Sequence, residues 1–64
     1  MVHEVRTYRN GKCVYANQHD TAESAHKEYE RNIKMVKRMP EAGVEKIVAR
    51  LVDGEIMAME IIKV

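Results

Sequence analysis

The chain has 64 residues, a single cysteine, 45% apolar and 33% charged residues, and a formal net charge of +1. One cysteine excludes an internal disulfide. Near-neutral charge argues against strong non-specific polyanion binding, and no run is long and apolar enough to span a membrane. A chain this short makes one domain and buries only about 60% of the surface its unfolded form exposes. Stability is then expected to come from outside the core, with a second subunit the simplest source. The lone Cys13 and an N-terminus without a signal-type apolar stretch point to a reducing, cytoplasmic setting. Cys13 itself reads as a small strand residue.

Residues 2–9 are rich in β-branched and aromatic side chains, and the pattern resumes at 12–17 after Asn10-Gly11. Asn-Gly between two such runs predicts a hairpin over 2–18, because a type I′ turn needs positive φ at both central residues. A two-residue turn places Tyr8 opposite Cys13 and Arg6 opposite Tyr15 on one side of the sheet. Thr7 then faces Val14, and Val5 faces Ala16, on the other.

A helix is expected over 21–39. Asp20 and Glu23 have the spacing of a capping box. Ala22, Ala25, Tyr29, Ile33 and Val36 recur at three and four residues and should face the core. Lys37 and Arg38 suit the negative end of the helix dipole, and Pro40 stops the helix.

The second hairpin, over 44–64, turns at Asp53-Gly54. That turn lies 43 residues after Asn10-Gly11, and Val5 then corresponds to Val48, a weak internal repeat. The expected fold is α+β: ββαββ, a four-stranded antiparallel sheet of two hairpins with one helix on one face.

Both sides of the second hairpin are apolar, whereas an isolated antiparallel sheet should alternate. Regular register puts Ile47, Ala49, Leu51, Ile56 and Ala58 on one side. The alanines there favour close approach of the helix. Val48, Val52, Met57, Met59 and Ile61 occupy the other side, interrupted by Arg50; no element covers it, and unless sheet twist shelters it these residues form the expected protein interface. If the helix covers the opposite side instead, a second bare apolar side still remains. The leading functional expectation is a small non-enzymatic binding or accessory protein whose partner is a second copy of itself or a larger protein. Its size suits the compact accessory proteins that phages and mobile elements encode.

The alternative is a nucleic-acid binder. Lys27, Arg31, Lys34 and Arg38 form a stripe at helical spacing, and Arg9 and Lys12 flank Tyr8 and Tyr15 on the first hairpin. Cations can track phosphates, and paired aromatics can stack on bases. Thr7-Tyr8-Arg9-Asn10-Gly11-Lys12 followed by Thr21-Ala22-Glu23-Ser24-Ala25 resembles the hairpin-then-helix layout of arm-type DNA-binding domains of phage integrases. The resemblance covers fewer than half the residues. Those domains have a three-stranded sheet, and no site residue is carried over.

No catalytic set can be nominated. Ser24 is the only serine and sits in the first helical turn. His3, His19 and His26 lack the short pair spacings of a zinc site. No cofactor, metal, membrane or small-molecule substrate is expected.

Overall fold

The computed structural model describes residues 1–64. Four strands and one helix follow in the order β1 (His3–Arg9), β2 (Lys12–His19), α1 (Ala22–Arg38), β3 (Glu45–Val52) and β4 (Glu55–Lys63). All strand pairs are antiparallel, in the order β2-β1-β3-β4. This is the α+β, ββαββ architecture, with the two hairpins joined through β1 and β3.

Both turns adopt the backbone that a type I′ hairpin requires. Asn10 and Gly11 have φ of 50° and 81°, and Asp53 and Gly54 have 49° and 83°. Asn and Asp tolerate this left-handed region better than other side-chain-bearing residues. They also tie the hairpins together. The Asn10 N–H donates to the Glu45 carbonyl at 2.8 Å, and the Glu45 N–H donates to Asn10 Oδ1 at 3.0 Å. The Asp53 N–H donates to the Val2 carbonyl at 2.9 Å, and the Val2 N–H donates to Asp53 Oδ1 at 2.8 Å. Each turn thus clamps the start of the other hairpin's first strand.

These clamps obey the 43-residue repeat, since 10 maps to 53 and 2 maps to 45. The β1–β3 register obeys it too. Arg6 pairs with Ala49, its own equivalent, so a local twofold axis passes through that pair. The two largest fully buried side chains, Val5 and Val48, are equivalents under the same operation.

Each outer strand carries one extra residue. In β2 the register slips between Tyr8↔Cys13 and Thr7↔Tyr15, leaving Val14 unpaired. In β4 it slips between Leu51↔Ile56 and Arg50↔Ala58, leaving Met57 unpaired. The two bulges are again 43 residues apart. Bulges twist a strand and discourage edge-to-edge pairing, and both occupy edge strands. They also correct the regular register. Arg6 faces Ala16, Val5 faces Asn17, and His3 faces His19 where alternation put it opposite Gln18. Ala49 faces Met59, and Ile47 faces Ile61.

The helix begins one residue later than a cap at Asp20 would set it. Thr21 is the N-cap, with Oγ1 accepting from the Ser24 N–H at 3.1 Å. Its extended backbone lets the hydroxyl reach back to the first turn. The helix ends at Met39, whose N–H donates to the Met35 carbonyl, just before Pro40. Ala25 is fully buried, and Tyr29, Ile33 and Val36 pack against the same core; Ala22 is exposed.

The helix covers the side of the sheet bearing Val5 and Val48, the reverse of the expected side. The covered side is not free of charge, since Arg50 opposite Val5 and Glu60 opposite Val48 lie on it. The open side of β1 carries Glu4 and Arg6, joined by a 2.7 Å ion pair. Val5 and Val48 meet the helix at Ala25, whose small side chain permits close approach.

Because each clamp residue supplies both a left-handed backbone and a side-chain acceptor, Asn10→Ala and Asp53→Ala should each lose about 1–2 kcal/mol. Urea denaturation should show a lowered midpoint with an unchanged slope. Asp53→Asn should retain most of the native stability.

Candidate functional surfaces

The two sides of the sheet have different characters. Under the helix lie Val5, Val48, Ala58, Glu60 and Ile62, and, from β2, Tyr15, Asn17 and His19. The latter three converge on Glu28 of the helix. The Tyr15 hydroxyl donates to Glu28 Oε2 at 2.6 Å, Asn17 Nδ2 lies 3.2 Å from Oε1, and His19 Nε2 lies 2.6 Å from Oε1. His19 Nδ1 in turn meets Ser24 Oγ. The β2 bulge creates this cluster, because it moves Tyr15 and its alternate neighbours to the helix side.

Serine, histidine and glutamate are therefore brought together, which the sequence spacing did not suggest. Ser24 and Glu28 share a face one helical turn apart. His19 reaches them only because β2 ends beside the helix start. Neither of the two surface clefts is lined by Ser24 or His19. The network's evident effect is to fasten the helix to an edge strand that offers little apolar contact. Removal from water pushes the Glu28 carboxyl up. Hydrogen bonds from His19, Tyr15 and Asn17 outweigh this and hold it below its ordinary range.

A second polar knot lies at the other end of the molecule. Glu41 accepts from Arg9 at 2.8 Å and pairs with Lys46 at 2.9 Å. Those two cations lower the Glu41 carboxyl to about 2. The pair with Arg9 is solvent-exposed and contributes little to stability. Lys37 of the helix reaches Glu60 of β4 at 2.9 Å. No group of three or more His, Cys, Asp or Glu side chains is arranged to hold a metal ion. No helix is long and apolar enough to cross a membrane.

The side away from the helix carries three apolar cross-strand pairs in a row: Ile47↔Ile61, Ala49↔Met59 and Leu51↔Ile56. Ala49 and Leu51 are buried by their neighbours. The outer row stays open, with Ile56 54%, Met59 48% and Ile61 54% exposed. Glu4, Arg6 and Tyr8 border this patch on β1. Of the five residues expected at an interface, Met59 and Ile61 lie on this face. Met57 is exposed at the bulge, Val48 is fully buried in the core, and Val52 shares Val48's side. Ile47, Leu51 and Ile56, expected under the helix, belong to the open face instead. Alternation along β3 identified both sets of residues, but the packing of Val5 and Val48 against the helix decided which set faces out.

The basic stripe is divided. Lys27 pairs with Glu23 at 3.5 Å, and Arg9 is committed to Glu41. Arg31, Lys34 and Arg38 have no carboxylate partner, and Lys12 also lacks one. Tyr8 and Tyr15, expected on one side, lie on opposite sides because Val14 intervenes as the bulge. They form no joint stacking platform.

Comparison of the chain with known protein families, curated proteins and solved structures finds no match.

The Glu28 cluster implies a defined acid response. Its folded-state carboxyl titrates below the unfolded value of ~4.3, so its contribution is complete above that pH and is lost as pH falls through the folded value. Glu28→Gln should lose ~1–3 kcal/mol at pH 7 and show a shallower decline between pH 5 and 3 than the native chain. Thermal melts across that range check both the size and the slope.

Proposed function

We propose that this chain is a small non-enzymatic binding protein that forms a homodimer through the side of the sheet opposite the helix. The observation that carries the reading is the row of Ile56, Met59 and Ile61, about half exposed on an edge strand and backed by Ile47 and Leu51. Only six of 64 residues are buried, so the chain's own core is small. A second copy laid on this face would supply the missing apolar layer.

Dimensions support a second copy as the occupant. The broadest face of a 36 × 19 × 15 Å body is about 700 Å2, so a contact near the ~800 Å2 per partner of a standard interface would extend from the β3–β4 patch across Glu4 and Arg6 of β1. A twofold contact is self-complementary, which suits a patch built of Met and aliphatic residues. The Glu4–Arg6 pair lies on an inner strand and enters that contact as charges already paired with each other.

Sedimentation equilibrium tests this directly. Native protein should approach twice the 7.4 kDa chain mass at micromolar concentration. Met59→Glu combined with Ile61→Glu should sediment as a folded monomer, because both positions are already half exposed within one chain. A native monomer across the whole concentration range would overturn the dimer.

A second reading rests on Arg31, Lys34 and Arg38, which no carboxylate neutralises. In that reading the helix's outer face holds nucleic-acid phosphates, joined by Lys27 and by Lys12 and Arg9 of the first hairpin. Retention at low salt should then disappear in Arg31→Glu with Lys34→Glu, and its salt slope should count the phosphates neutralised. Absence of retention by native protein at low salt would eliminate this reading.

A further inference from the structure

A cleft of about 390 Å3 opens between β2 and the C-terminal half of α1, lined by Tyr15, Arg31, Asn32, Met35, Val36 and Thr7 among others. Its size falls within the range of small-ligand sites, ~300–1,000 Å3. It lies on the helix side of the sheet and is separate from the dimer face. The β2 bulge forms one wall by turning Tyr15 toward the helix. Helical spacing forms the other, since Arg31, Asn32, Met35 and Val36 fall on adjacent positions of one flank.

The lining has an apolar body, one cation without a carboxylate partner, and one carboxylate whose oxygens already accept hydrogen bonds. Tyr15 is 43% exposed and Met35 is 52% exposed, although both border a concave surface. Glu28 also borders the cleft, but its oxygens are engaged by Tyr15, Asn17 and His19. Arg31 has no carboxylate partner. Its guanidinium presents a planar fork of donors suited to a carboxylate, sulfonate or phosphate. Asn32 and Thr7 add neutral hydrogen-bonding groups.

We propose that this cleft binds a small organic anion: an aromatic or aliphatic body seated against Tyr15, Met35 and Val36, with a single anionic group on Arg31. The unpaired donor fork of Arg31 selects the anionic group, and the mixed aromatic and thioether wall selects an apolar body over a free inorganic ion.

The probe is 8-anilinonaphthalene-1-sulfonate, titrated into the full chain and followed by amide chemical shifts. Saturable changes are expected at Thr7, Tyr15, Asn32, Met35 and Val36, with little change at Ile56, Met59 and Ile61. Arg31→Glu should weaken binding about tenfold or more, and Met59→Glu should leave it unchanged. N-phenyl-1-naphthylamine, which lacks the sulfonate, should bind native protein at least about tenfold more weakly. This arm needs no variant and stands if Arg31→Glu fails to fold. Changes confined to the open sheet face, equal binding of the neutral probe, or no saturation below ~1 mM would each overturn the proposal.

Discussion

The pairing of β1 with β3 is the contact on which the rest of this fold depends. It joins two hairpins that are each too small to persist alone in water. It also sets Val5 and Val48 side by side as the floor on which the helix rests. The clamps from Asn10 to Glu45 and from Asp53 to Val2 fix this pairing at both ends. A slip of one residue would send Val5 and Val48 to opposite sides of the sheet and leave the helix without a core.

The local twofold relates turns, clamps, bulges and buried valines by one offset. The helix breaks the symmetry, because a single helix cannot pack equivalently on both hairpins. It binds β2 mainly through polar contacts around Glu28 and meets β4 through Ile62 and the Lys37–Glu60 pair. The outer strands are therefore the least apolar part of the helix–sheet contact. Their bulges are the feature that limits their use as templates for further strands.

Two surfaces result from this arrangement, with separate chemistry. One is the open aliphatic and methionine patch of β3 and β4. The other is the cleft beside Tyr15 and Arg31, where a cation without a carboxylate partner meets an apolar wall. They lie on opposite sides of the sheet, so occupation of one leaves the other accessible. The Ser24–His19–Glu28 contacts join the helix to β2.

Local chemistry in the sequence determined the two type I′ turns, the helix limits to within a residue, the ββαββ order and the presence of two apolar sides on the second hairpin. These follow from Asn-Gly, Asp-Gly, Pro40 and short-range periodicity, all of which act over a few residues. The tertiary structure alone decided the strand order, the bulges at Val14 and Met57, the side that the helix covers and the convergence on Glu28. Each depends on contacts between residues far apart in the chain. Val14 and Met57 look like ordinary strand residues until their partners are known. The helix side follows from the packing of Val5 and Val48 against Ala25, Tyr29, Ile33 and Val36. That packing exists only once β1 and β3 share one sheet.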